Sequence, residues 1–432
     1  MSTLVPDRIV TDGAASSGRP IDERGPSPAG QRALLTLAVG LMIVVGRDGS
    51  PTWQIVRIAV VAALTLLVSR VLRSGIGGWR GWIAFSVGLT GTAVGTGIGI
   101  PHLVKNGLHP LTVAGLVTLG SGLVLLASGG LSLVRRARPW RRVLVVPTLL
   151  VAVFVVMWSL GQAVAVTNAP RSSVGDTTPA DVGLPYRDVE FATSDGVTLS
   201  GWYIPTSNGA AVVLLHGSGS TRASVLDQAL VLAGHGYGVL MFDARGHGRS
   251  GGRAMALGWH GDQDTSAAVT FLQSQPGVDR GRIAAVGMSM GGEEAIGAAA
   301  ADGRIQAVIA EGATNRVSGD KAWLSDEYGW RGMLQEGVEW LTYGLADLLT
   351  AADPPIALRD AVAAVAPRPV LLIAAGDVES EGLAGRHIAG ASPDTVELWI
   401  VPGTGHTAGL DTHPDEWAQR VTTFLDRELD VT

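Results

Sequence analysis

The chain contains no cysteine. That excludes disulfides, thiolate metal sites and a cysteine nucleophile at once. Lysine is nearly missing too: 30 of the 32 basic residues are arginine, leaving only Lys105 and Lys321. Beside so much Ala and Gly, this bias reads as genomic base composition, and the acidic second half argues against a nucleic-acid partner. The sequence has no HExxH and no other close-spaced set of metal ligands. Nothing in it calls for a cofactor. What it does carry is apolar residue, 47 % of 432, with a positive mean hydropathy that is unusual for a wholly soluble protein. The length fits two or three structural units of ~100–200 residues.

Charge divides the chain. Residues 1–185 hold 16 basic and 7 acidic residues, whereas 186–432 hold 16 and 31. Two units in different surroundings are expected. Residues 1–30 are polar and rich in Gly, Pro, Ser and Asp, and read as a disordered tail. Five apolar stretches follow, near 33–46, 54–72, 82–100, 111–134 and 143–166. A spanning helix needs ~20 mainly apolar residues, and the last four meet that length. The first is short; it either spans with Arg32 and Arg47 snorkelling or lies in the interface. A polar tail before it and further apolar stretches after it fit a cleavable signal peptide poorly. Residues 31–167 are therefore expected to form a transmembrane bundle of four to five helices.

The loops give an orientation. Arg70, Arg73 and Arg80 flank one link, and Arg135, Arg136, Arg138, Arg141 and Arg142 crowd another, while the link between them has only Lys105. The positive-inside rule puts the arginine-rich loops and the N-terminus in the cytoplasm, and everything after residue 168 outside it. No Asp, Glu or Lys lies within the apolar stretches, so an ion pathway is not indicated. Gly91, Gly95 and Gly99 recur at a spacing that lets helices pack closely. The bundle reads as an anchor.

Residues 168–185, with Pro170, Pro179 and Pro185, have linker composition. From 186 to 432, strand and helix patterns alternate, with strands at 188–192, 197–204, 211–215, 238–242, 283–286, 306–310, 370–374 and 396–401. That order predicts an α/β fold, a mostly parallel, doubly wound sheet, with a helical cap inserted at about 315–367. In such sheets the chemistry lies at the carboxyl ends of the strands. His216, Asp243, Ser289, the acids of 377–381 and His406 fall there.

Gly287-Met288-Ser289-Met290-Gly291 stands between an apolar strand and a helical pattern. This is the setting of a nucleophile elbow, with serine at the apex of a cramped turn. A serine hydroxyl needs a base, a group to orient that base, and donors for an oxyanion. His406, in a glycine-rich loop after the last strand, is the natural base. The acid should follow residue 374, where Asp377, Glu379 and Glu381 are available; Glu379 fits best, and Asp377 stays open. Oxyanion donors are expected from the backbone N–H groups of Met290 and Ser218. His216 reads as a buried brace, and Asp243–Ser250 as an ion-paired structural loop.

Taken together, His216-Gly217, Asp243-x-Arg245-Gly-His-Gly-x-Ser250, Gly287-x-Ser289-x-Gly291-Gly292 and Pro402-Gly-x-Gly-His406 resemble the α/β-hydrolase superfamily. Asp195-Gly-Val-Thr-Leu-Ser-Gly-Trp-Tyr-Ile-Pro205 resembles its serine aminopeptidase and dienelactone-hydrolase-like members. The likeness covers about 186–430, and the order serine, acid, histidine agrees with it. The acid loop departs from the usual Gly-x-x-Asp. The resemblance implies acyl-enzyme chemistry on an ester, thioester or amide, with esterase or lipase activity first and aminopeptidase second. It also implies that a cap aromatic set, Trp323, Trp330 and Trp340, walls a pocket. Alternatively, those aromatics form the cap's own small core. Met333, Leu334, Trp340 and Leu341 could also face lipid, which would suit a substrate delivered from the bilayer. A different class of reading is a membrane sensor or transporter subunit whose hydrolase-like domain only binds ligand.

Overall fold

The computed structural model describes residues 28–45, 51–73 and 79–431. The expected disordered tail lies outside the described residues except for its last three, and these open the first helix. Proline at that point suits a helix start, because its missing N–H is one that the first turn leaves unpaired anyway. Among the described residues of the first half there are five α-helices: α1 (Pro28–Val45), α2 (Pro51–Arg73), α3 (Trp79–Asn106), α4 (Pro110–Arg136) and α5 (Arg142–Thr167). Four of them, α2 to α5, are long and apolar enough to cross a membrane; α1 falls just short. α3 is central, packed on α4 and α5, while α1 lies on α4 and α2. A Cβ on Gly95 would meet the Leu119 backbone at 2.2 Å, and one on Gly99 would meet Gly115 at 2.9 Å. Backbone contact between α3 and α4 thus requires these glycines.

The second half begins with an antiparallel pair, β1 (Arg187–Ala192) and β2 (Thr198–Ile204). β3 (Ala211–Leu215), α6 (Leu226–Gly234), β4 (Gly238–Phe242), α7 (Gly261–Gln273), β5 (Ile283–Met288), α8 (Met290–Ala301) and β6 (Ala307–Glu311) then alternate. Three helices follow: α9 (Leu324–Tyr328), α10 (Trp330–Leu349) and α11 (Leu358–Val365). The chain ends with β7 (Val370–Ala375), α12 (Glu379–Ala389), β8 (Val396–Val401), α13 (Gly409–Thr412) and α14 (Pro414–Glu428). The eight strands form one sheet in the order β1-β2-β4-β3-β5-β6-β7-β8. β2 runs against its neighbours, and β4 through β8 are parallel.

Strand side chains alternate between two cores. Val213 and Leu215 join α7, α8 and α11 on one face, and Val212 and Leu214 join α6 and α14 on the other. Burial on both faces is why the central strands read as unbroken apolar runs.

The halves are joined tightly. Residues 168–185, with the composition of a linker, are pinned to the sheet domain: Arg171 donates to the carbonyls of Gly248 at 3.0 Å and Ser250 at 2.6 Å. α5 packs against α10, and Ala163 of α5 shares a small core with Met255, Trp259, Tyr343 and Ala346.

Candidate active site

One residue separates β5 from α8, and it is Ser289. Its backbone sits at φ 55°, ψ −122°, a conformation that costs a non-glycine residue about 1–3 kcal/mol. The neighbours hold it there: a Cβ on Gly287 would lie 2.1 Å from the Gly291 carbonyl, and one on Gly291 would lie 2.6 Å from that of Leu215. The Ser289 N–H donates to the Glu311 carbonyl of β6 at 2.7 Å. The side chain is left at the strand's carboxyl end, over the first turn of α8.

His406 reaches this point from the loop after β8. Its Nε2 is 2.9 Å from Ser289 Oγ, and its Nδ1 is 2.6 Å from Glu381 Oε1. Glu381 is buried, and its second oxygen accepts the Ala375 N–H at 2.9 Å. This carboxylate raises the imidazole pKa above its ordinary 6.5, against an opposing effect of partial burial. The loop itself is braced by Glu311, which accepts the Gly409 N–H and the Trp417 indole N–H, both at 2.8 Å.

The acid differs from expectation. Neither Glu379 nor Asp377 takes the position on His406; both are exposed. α12 begins at Glu379, so Glu379 and Glu381 lie on its first turn rather than in a free loop, and Asp377 precedes it. Residues 379 and 381 are two apart, about 200° around a helix. When Glu381 faces inward, Glu379 must face water. The inward face is legible after the fact: Glu381, Ala384, Gly385 and Ile388 are its buried positions, at helical spacing.

The loop after β3 covers the serine from the other side. A Cβ on Gly217 would stand 3.2 Å from that of Ser289, so the backbone of this loop lies directly on that side chain. Among the described residues the N–H groups of Ser218 and Met290 have no protein acceptor. His216 is fully buried and its pKa is pushed down to about 4, by burial first and then by the neighbouring His247. It is neutral at pH 7. Its Nε2 accepts the Ala244 N–H at 2.9 Å and its Nδ1 donates to the Gly217 carbonyl at 2.8 Å. Asp243 accepts the N–H groups of Arg222 and Arg249, and Arg245 bridges Asp195 and Asp264. Both are structural contacts. Sequence reasoning missed the outer braces of this loop: the Gly219 carbonyl accepts from Ser172 Oγ at 2.6 Å and from Lys105 Nζ, at the end of α3, at 2.8 Å.

The cap aromatics also differ from expectation. Trp330 and Trp340 are 68 % and 70 % exposed and turn outward from the cap. Trp323 is buried with Leu324, Leu383 and Ala384, where it braces α12, the helix that carries Glu381. Glu293 and Glu294, the acids after the elbow, point into the core. Glu293 accepts the N–H groups of Thr314 and Asn315, and burial pushes its pKa up to about 7. Among the described residues no three His, Asp or Glu side chains converge as a metal site requires.

Residues 206–346 match the family described as serine aminopeptidase, S33. An uncharacterized Mycobacterium tuberculosis protein, Rv2307c, is 33 % identical over 240 residues, covering 54 % of this chain and 77 % of that one. Thiohydrolase aneE of Aspergillus aculeatus is 40 % identical over 128 residues, 29 % of this chain and 40 % of its own length. Among solved structures, the Pyrococcus furiosus esterase Pf2001 is 30 % identical, aligned over 60 % of this chain and 99 % of its own, with a TM-score of 0.46.

Proposed function

Because the chain belongs to the α/β-hydrolase superfamily, we propose that it is a membrane-anchored serine hydrolase acting on acyl esters or thioesters. The observation that carries this reading is the file of contacts Ser289–His406–Glu381. Ser289 Oγ attacks the substrate carbonyl carbon while His406 Nε2 takes its proton. The oxyanion forms against the N–H groups of Met290 and Ser218, aided by the positive end of α8. His406 then returns the proton to the leaving group, and water releases the acyl group from the serine. Glu381 fixes the tautomer and steadies the imidazolium.

Esters and thioesters are favoured over aminoacyl amides. An aminopeptidase needs a carboxylate free to hold the substrate's α-amino group, and Glu293 and Glu294, the acids just past Ser289, are both buried in the core. The sequence likeness to an esterase and to a thiohydrolase supports the same preference. The membrane supplies a source of such substrates. α10 packs on α5 and turns Trp330, Met333, Leu334, Trp340 and Leu348 outward along one stripe, which suits contact with lipid. By the arginine-rich loops, the catalytic half faces away from the cytoplasm.

The test is turnover of p-nitrophenyl acyl esters and acyl thioesters beside aminoacyl p-nitroanilides. Ester turnover should fall on the order of 10⁴–10⁶-fold in Ser289→Ala. Preferential cleavage of the anilides would replace this reading with a peptidase. No turnover of any of them would favour a ligand-binding role.

A further inference from the structure

Lys105 is the only Asp, Glu, Lys or Arg between Arg80 and Arg135, and anchoring alone gives it no task. It stands in the last turn of α3, where the bundle meets the sheet domain. Its Nζ donates to the Gly219 carbonyl at 2.8 Å, beside the Ser172 hydroxyl, which donates to the same oxygen at 2.6 Å. The next residue, Asn106, donates from Nδ2 to the Arg171 carbonyl at 3.0 Å. The Ser172 carbonyl in turn accepts the Gly248 N–H at 3.1 Å. The end of α3 and the segment after α5 thus meet at one carbonyl of the loop that follows β3.

A peptide group is planar and trans, so its C=O and N–H point in opposite directions. In the group joining Gly219 to Ser220, the carbonyl receives Lys105 and Ser172, and the Ser220 N–H donates to the Gly217 carbonyl at 3.3 Å. In the group joining Gly217 to Ser218, that carbonyl also accepts from His216 Nδ1 and Ser220 Oγ, each at 2.8 Å. The N–H of this second group belongs to Ser218, the donor assigned above to the oxyanion. Gly219, at φ 68°, lets the chain fold back so that the two groups stand in series. Hydrogen bonds in such a series polarise one another, and a cationic donor at its head strengthens those behind it.

The geometry points to Lys105 as a positioning residue for the oxyanion: through two peptide groups in series, its ammonium aims the Ser218 N–H and makes it a stronger donor. The inference rests on the serine-hydrolase chemistry proposed above, and it makes the bundle part of the oxyanion site as well as an anchor. Lys105 is exposed, so its contact adds little to folding stability. Its effect belongs to the transition state, where charge develops on the substrate oxygen.

The test uses the full chain in detergent, with p-nitrophenyl butyrate as substrate and an alkyl trifluoromethyl ketone as an inhibitor that Ser289 converts to a tetrahedral oxyanion. Lys105→Met keeps most of the stem and loses the charge and the donors. Its kcat should fall about tenfold, less than the loss on the order of 10²–10³-fold that follows deletion of an oxyanion donor. KM should stay within about twofold while the ketone binds about tenfold more weakly. The unfolding temperature and the midpoint of the acid limb, which reports His406, should not move. Lys105→Arg, with charge and donors restored, should recover most of the lost kcat. Unaltered kcat and ketone binding in Lys105→Met, a change confined to KM, a loss that arginine does not recover, a shifted acid limb, or a loss matched by a lower unfolding temperature would each overturn the inference. Wild-type turnover that disappears in Ser289→Ala secures the hydrolase chemistry on its own. An unaltered Lys105→Met would then count against Lys105 alone, whereas a wild-type chain without turnover would count against both.

Discussion

At the scale of the residue, the site depends on which carboxylate orients His406. Glu381→Gln removes the charge that stabilises the imidazolium and should lower kcat/KM on the order of 10³–10⁴-fold. Glu379→Gln and Asp377→Asn should leave it unchanged, since both side chains face water. The pH dependence follows from the sign of the His406 shift. The base must be neutral, and its pKa is raised. The acid limb of kcat/KM should therefore have its midpoint above 6.5, with activity lost as the pH falls through it. In Glu381→Gln the midpoint should move to lower pH as the plateau drops. An unmoved midpoint would show that Glu381 does not act on His406. Ser289 and His406 were legible in the sequence because each is marked by its own neighbours: glycines that only a cramped turn needs, and a loop after the last strand. The acid was not, because the residues after 374 read as a loop, and only the helix that begins at Glu379 decides that Glu381 faces inward.

At the scale of the element, α3 and α4 offer one substitution with two signs. Gly95 has the Leu119 backbone against it, whereas Gly120 on α4 has open space where a Cβ would go. Gly95→Ala should force the helices apart and cost about 1–3 kcal/mol. Gly120→Ala should be neutral or gain up to about 1 kcal/mol from helix propensity. Thermal unfolding in detergent reads both, and equal shifts would contradict the packing. Elements were the most legible level. β3, β4 and β8 begin and end where the apolar pattern placed them; β3 and β4 are buried on both faces and have no polar residue to blur their limits. The cap was less so. The resemblance implied Trp330 and Trp340 as pocket walls, with the cap's own core and a lipid-facing surface as alternatives, and composition does not say which face of α10 turns outward.

At the scale of the molecule, the two halves act as one. The bundle touches the catalytic half through Lys105 and Gly219 and through α5 and α10. None of these contacts was readable from the sequence, since each joins residues far apart in the chain and neither partner has a distinctive neighbourhood. The arginine-rich loops were readable, and the proposed orientation rests on them. In sealed, right-side-out spheroplasts, added protease should digest residues 186–432 while the Arg135–Arg142 loop stays protected. Protection of the catalytic half would reverse the orientation and leave the chemistry untouched.

The chemistry is tested most directly at one oxygen atom. The folded, full-length protein should take up one fluorophosphonate per chain, seen as a single adduct by intact mass and mapped to the peptide containing Ser289. Uptake should be lost in Ser289→Ala and slowed in Glu381→Gln. A folded wild-type chain that gains no adduct, or one that keeps its adduct when Ser289 is alanine, would contradict the account.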